Sequence, residues 1–160
     1  YYEGMDTDLI KDRDRARLRN EKMGFVFQNS MLLEDFSALE NVAMPLMIKG
    51  EKKKIALEKA QEYLKMVGIE ERKNHRPIKL SGGERQRTAI ARALITEPSV
   101  VFADEPTGSL DEKTSRIIEE LLIESVRKTN RGLILVTHNP VFASKAHKVF
   151  VLSNGVLNEK

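Results

Sequence analysis

An α/β fold built on buried parallel strands is predicted by three features of this 160-residue chain. Short aliphatic runs at Met23-Gly24-Phe25-Val26-Phe27, Ser99-Val100-Val101-Phe102-Ala103 and Leu133-Ile134-Leu135-Val136 have the length and composition of strands covered on both faces. The stretches between them place apolar residues at helical spacing. Each run then ends in residues able to do chemistry: Gln28, the pair Asp104-Glu105, and Thr137-His138. Open α/β sheets bind their ligands at that carboxyl end.

The totals fit one compact domain with a real core. With 41% hydrophobic and 32% charged residues, the composition is that of a soluble globular protein. No apolar run approaches the roughly 20 residues of a membrane span, and no signal-peptide pattern opens the chain, so any membrane role is expected to come through a partner. The absence of Cys excludes disulfides and thiolate metal sites and fits a reducing compartment. A net charge of +3, from 27 bases against 24 acids, carries no nucleic-acid footprint.

In chain order, Tyr1-Tyr2-Glu3-Gly4 reads as the end of a strand entering a turn. Alternating charges from Lys11 to Lys22 predict a short solvated helix. The strand that follows ends at Gln28, a neutral amide that is either a polar strand end or a group able to contact a metal or orient a water. Ser37 with Glu40 three residues on is a capping-box pattern opening the next helix, and Pro45 predicts a break or kink in it. After the exposed turn Lys49 to Lys54, the residues Ala56, Ala60, Tyr63, Leu64 and Val67 form one helical face for the core, and Gly68 ends that helix. His75 has no partner at metal-ligand spacing and is expected to be structural.

Leu80 to Asp111 carries the densest signal. Leu80-Ser81-Gly82-Gly83 is a turn opening onto a helix from Glu84 to Leu94, so backbone N–H groups and the positive end of the helix dipole point out of it. Gly82 and Gly83 let backbone approach an anion closely, and Ser81 sits at the N-cap position with a hydroxyl able to bond either the helix or that anion. Ser-Gly-Gly alone is equally an ordinary capped helix. Asp104 and Glu105 then close an aliphatic strand. Side chains alternate along a strand, so one acid can hold a divalent metal while the other polarises a water for attack on phosphorus. Beyond Gly108-Ser109-Leu110-Asp111, the residues Ile117, Ile118, Leu121, Leu122 and Val126 predict an amphipathic helix. Val149 to Leu152 with a turn at Asn154-Gly155 predicts a closing hairpin.

LSGGERQR followed by VVFADEPTGSLD resembles the signature sequence, Walker B motif and D-loop of an ATP-binding-cassette (ABC) ATPase. GFVFQ resembles the Q-loop and Thr137-His138 the H-loop of the same family. The stretch from Leu32 to Leu46 and Asn74-His75-Arg76-Pro77 look most like the lipoprotein-releasing (LolD-type) and macrolide-exporter (MacB-type) ATPases.

The resemblance implies an incomplete P-loop NTPase fold spanning 1–160. The Q-loop, helical subdomain and signature helix would occupy 29–95, and the Walker B, D-loop and H-loop part of the core 96–160. It implies ATP and Mg²⁺, a head-to-tail dimer or paired cassette subunit, and an integral membrane permease at the inner face of the cell membrane. Glu105 would be the general base, His138 would contact the γ-phosphate, and Gln28 would link nucleotide to the helical subdomain. Asp104, with Gln28, would serve Mg²⁺. Ser81, Gly82 and Gly83 would grip ATP on the opposite subunit, and Asp111 would connect the two sites. The implied function is ATP hydrolysis powering export or membrane extraction of a lipoprotein, macrolide or peptide. The alternative is a regulatory module acting on a membrane partner without transport, as in cell division.

Two departures accompany the likeness. Glu84 stands where many relatives have Gln. No G-x-x-x-x-G-K-[ST] occurs in the sequence, and the expectation is therefore a piece of a longer subunit that lacks the loop cradling the α- and β-phosphates.

Overall fold

The computed structural model describes residues 2, 4 and 6–160. Part of the strand end expected at Tyr1-Tyr2-Glu3-Gly4 lies outside the described residues. Three parallel strands, β1 (Met23–Phe27), β2 (Val100–Asp104) and β3 (Gly132–Val136), form a sheet in that order. The register pairs Phe27 with Asp104 and Asp104 with Val136, so all three strands end level. Gln28, Glu105 and Thr137 therefore leave the sheet side by side.

Helix α1 (Asp12–Lys22) is solvated along its length, as its charge pattern predicts. Helix α2 (Ala38–Lys49) begins with the expected capping box: the Ser37 hydroxyl accepts from the Glu40 N–H, and the Glu40 carboxylate accepts from the Ser37 N–H. It runs through Pro45 without ending there. Pro45 removes one bond to the carbonyl a turn earlier, but Asn41, Val42, Ala43 and Leu46 are buried on either side of it and hold the helix to the core. Buried Asn41 also fastens the preceding loop, accepting from the Leu33 N–H and donating to the carbonyls of Leu33 and Phe36.

Helix α3 (Lys53–Met66) buries Ala56, Ala60 and Leu64, and Gly68 follows its end in the left-handed conformation at φ 71°. Two short 3₁₀ turns, Glu70–Arg72 and Pro77–Lys79, lead to α4 (Gly82–Leu94). The His75 carbonyl accepts from the Ala38 N–H at 2.9 Å, which ties the lead-in to α4 to the start of α2.

Helix α4 lies on the face of the sheet formed by Gly24, Val26, Val101 and Ala103, and its own Ala89, Ile90 and Ala93 are buried against the sheet and the neighbouring helices. On the opposite face Phe25 stacks on Phe27 and Phe102, with centroids 6.1 and 5.3 Å apart. Helix α5 (Glu112–Lys128) buries Ile118, Leu122 and Val126. Ile117, expected on that stripe, is exposed: it sits one residue, about 100° of helix, from the buried Ile118.

After β3 comes the single turn α6 (Pro140–Ala143), whose Phe142 is fully buried. Strands β4 (Phe150–Ser153) and β5 (Val156–Glu159) form the expected hairpin, turned by Asn154 and Gly155 at φ 50° and 79°. Positive φ at both central residues is what a two-residue hairpin turn requires.

Candidate functional site

Glu105 leaves β2 in the left-handed region, at φ 42°. A residue with a Cβ adopts that conformation at a cost of about 1–2 kcal/mol, so its surroundings must hold it there. They do so from both sides: the Glu105 N–H donates to the Val136 carbonyl at 2.9 Å, and its carbonyl accepts from the Gly108 N–H at 3.0 Å. The twist breaks the alternation expected of a strand and turns the carboxylate toward the end of β3. There Oε1 accepts from the His138 N–H and lies 2.8 Å from the His138 Nδ1. Among the described residues Oε2 has only the Thr137 hydroxyl, at 3.5 Å. With Nδ1 turned to the carboxylate, Nε2 is the outward atom of an imidazole that is 81% exposed.

At the tip of β1, Gln28 packs against Gly108 so closely that a Cβ there would lie 2.9 Å from the Gln28 Nε2. The Ser109 hydroxyl donates to the Gln28 carbonyl at 3.3 Å. Two residues of α4 hold this loop from below. Gln86, buried, donates to the Phe27 carbonyl at 3.0 Å. Arg92 reaches the Met31 and Ser30 carbonyls at 2.7 and 2.8 Å, and Met31 is left-handed at φ 48°. Gln28, Ser30, Glu34, Gly82, Arg85 and Ser109 line one shallow cleft, which brings the tip of β1 to the start of α4.

Gly82 and Gly83 are the first two residues of α4, not a turn before it. The difference has a local cause: Ser81 is the N-cap of a second capping box, its hydroxyl accepting from the Glu84 N–H at 3.3 Å while the Glu84 carboxylate accepts from the Ser81 N–H at 2.8 Å. Both glycines also face this chain's own segment at the start of α5. A Cβ at Gly82 would meet Leu110 at 3.1 Å, and one at Gly83 would meet Thr114 at 2.6 Å. Asp111 caps α5, accepting from the Thr114 N–H at 3.0 Å and its hydroxyl at 2.6 Å. The Thr114 hydroxyl, then its N–H, hold the Asp111 carboxyl below its ordinary value.

Glu84 spends its second oxygen on Arg72, whose Nε donates at 2.9 Å. The charge added at the helix start is thus answered by a guanidinium as well as by the helix dipole.

The ABC transporter family profile matches residues 3–108. The chain belongs to the ABC transporter family. It is 47% identical over 154 residues to the lipoprotein-releasing system ATP-binding protein LolD of Alcanivorax borkumensis, covering 96% of this chain and 68% of that protein. It is 46% identical over 158 residues to LolD of Coxiella burnetii, covering 98% of this chain and 68% of that one. Among solved structures, the dimeric, post-hydrolysis ATP-binding cassette MJ0796 bound to ADP and Pi superposes at a TM-score of 0.89, with 36% identity over 100% of this chain and 71% of its own. The expected ABC ATPase fold, α/β and partial, is borne out. This cassette segment spans about two thirds of the length of its LolD relatives.

Of the residues expected to act in this ABC cassette, Glu105 and His138 meet directly, and Gln28 shares a cleft with Gly82. Ser81 and Asp111 both spend an acceptor on their own helix. Asp104 is exposed at the strand end, and its carboxylate takes no hydrogen bond among the described residues. Gln86, Arg92 and Asn139 are functional neighbours that the sequence reading does not single out. A signal existed for Gln86: it lies on the same stripe as Ala89, Ile90 and Ala93, and a polar group on an apolar stripe needs a buried partner.

The capping boxes set an acid limit on this fold. The N–H of Ser37 holds the Glu40 carboxyl below its ordinary value of 4.5, and the N–H of Ser81 does the same for Glu84. A folded pKa below the unfolded one means that proton binding favours the unfolded chain. The stabilisation is therefore complete above pH 4.5 and is lost as the pH falls through the lower folded values. Gln in place of both acids can still accept the N–H bonds but does not titrate. Thermal melts toward low pH should show the native protein losing stability faster than the Glu40→Gln/Glu84→Gln variant. Parallel curves would show that these two carboxylates do not govern acid sensitivity.

Proposed function

We propose that this chain is part of an ATP-hydrolysing ABC subunit that powers lipoprotein release from a membrane through a permease. The observation that carries the ATPase reading is the Glu105–His138 pair at the carboxyl end of the parallel sheet. The lipoprotein reading rests on the likeness to LolD proteins. In this reading the subunit sits on the inner face of the membrane through that permease; among the described residues no helix is long and apolar enough to cross a membrane.

In this reading Glu105 is the general base. Its Oε1 is committed to His138, which leaves Oε2 to take a proton from the attacking water. The outward Nε2 of His138 would meet the γ-phosphate. Gln28, packed on Gly108 and lining one cleft with Gly82 of α4, would report the nucleotide to the helical subdomain; we assign 29–95 to the Q-loop, helical subdomain and signature helix, and 96–160 to the Walker B, D-loop and H-loop part of the core. Ser81, Gly82 and Gly83 would bind the γ-phosphate of ATP held by the opposite subunit of a head-to-tail dimer, and Asp111 would connect the two sites. MJ0796, the structural relative, is a dimer.

Asp104 and Gln28 would hold Mg²⁺. Among the described residues no three His, Cys, Asp or Glu side chains come together to cage a metal. One free carboxylate and an amide suit Mg²⁺, which keeps several waters and takes its other ligands from phosphates. When bound, the ion neutralises charge on the β- and γ-phosphates.

The test assembles the subunit, as its gene encodes it, with its permease in proteoliposomes holding a lipidated protein. ATP-dependent release supports the reading. ATP hydrolysis without release overturns the lipoprotein assignment, and no hydrolysis overturns the ATPase itself.

A further inference from the structure

We infer that Glu119 is a positioning residue that holds the His138 loop against Glu105, an inference that rests on the roles proposed for that pair. Glu119 lies on the inner face of α5 and is the one charged side chain buried among the described residues, at 3% exposure. A carboxylate is kept there only if both oxygens have strong partners. Both do. Oε1 accepts from the Asn139 side-chain amide at 3.2 Å, and Oε2 from the Lys145 ammonium at 3.0 Å. That ammonium also sits 5.8 Å over the ring of the buried Phe142.

Both partners belong to the segment that leaves β3 through His138. Asn139 has every group committed: its Oδ1 accepts from the N–H groups of Val141 and Phe142 at 3.0 and 3.2 Å, and its own N–H donates to the Thr137 hydroxyl at 3.1 Å. Its side-chain NH₂ is the remaining donor, and Glu119 takes it. Thr137 and His138 in turn are the residues that touch the two oxygens of Glu105. A continuous chain of polar contacts thus runs from Lys145 through Glu119 and Asn139 to Glu105.

Stability does not account for a carboxylate at this place. It shares its stripe with Leu122 and Val126, and apolar side chains in place of the whole Glu119–Lys145 pair would avoid the cost of desolvating charge. What an apolar residue cannot do is fix the plane of the Asn139 amide.

The test uses the gene-encoded subunit. Glu119→Leu should lower kcat by about tenfold while KM for ATP stays within about twofold, and the melting temperature should fall, because Lys145 and the Asn139 amide are left without their acceptor. Glu119→Gln, which can still accept from Asn139, should recover most of kcat. Asn139→Ala should lose as much as Glu119→Leu, and the double variant no more than either, because the two act as one unit. Wild-type kcat in Glu119→Leu, or a loss that Glu119→Gln fails to recover, overturns the inference. If Glu119→Leu does not fold, wild-type kcat in Asn139→Ala overturns it instead. Glu105→Gln is measured beside them. Normal turnover in that variant defeats the proposed site itself, whereas an inactive Glu105→Gln beside an unimpaired Glu119→Leu defeats only the role of Glu119.

Discussion

Glu105→Gln in the gene-encoded subunit is expected to lower ATP turnover by about 10²–10⁴ while leaving ATP binding intact. The replacement is isosteric, so its carbonyl oxygen can still accept the His138 N–H that holds Oε1 at 2.8 Å. The loop keeps its place. What is lost is the carboxylate's capacity to take a proton at the position of Oε2, which has no closer protein partner than Thr137. On a free-energy scale the expected loss is about 3–5 kcal/mol of transition-state stabilisation. Phosphate release and nucleotide binding measured on the same preparation check it. Normal turnover would take the base role away from Glu105.

Gly24→Ala is expected to be the most damaging small substitution in the sheet. A Cβ at Gly24 would lie 2.5 Å from the backbone carbonyl oxygen of Ala93 on α4 and 3.2 Å from the Pro98 ring. No rotamer relieves a collision with backbone, so the helix must slide off the strand. Overpacking of this kind costs about 1–3 kcal/mol, which for a domain of this size lowers the melting point by about 2–4 °C for each kcal/mol. Gly132→Ala is the matched control, since a Cβ there meets nothing closer than 3.5 Å. The midpoint of denaturant unfolding should fall for Gly24→Ala and stay near that of the native protein for Gly132→Ala. Equal midpoints would mean that β1 and α4 have room to spare.

The features legible in the sequence were those with a local signature. The capping box of Ser37 and Glu40, the three aliphatic strands, the Gly68 stop and the Asn154-Gly155 hairpin all depend on residues a few positions apart. The acids and amides expected at strand ends are there because parallel strands in register end level. Three things were not legible. The start of α4 at Gly82 was hidden because the two glycines argued for a turn up to Glu84, although Ser81 read as the N-cap, as it is. The left-handed Glu105 has no local signal, since Glu is not a residue that favours φ above zero. The reach of Gln86 and Arg92 spans 59 to 62 residues and ends on backbone carbonyls, which every residue carries. Burial of polar residues within an apolar stripe, at Gln86 and again at Glu119, was the only trace such contacts left.

That α4 grasps carbonyls and no side chains in the loop after β1 has a bearing on how the family can diversify. Every amino acid offers the same oxygen, so the clamp prescribes the course of the main chain through residues 27 to 31 and is indifferent to what hangs from it. The exposed side chains of Asn29 and Met31 can change from one descendant to another without loosening the anchorage. Inheritance in this stretch is then of a path, guarded by two residues some sixty positions downstream.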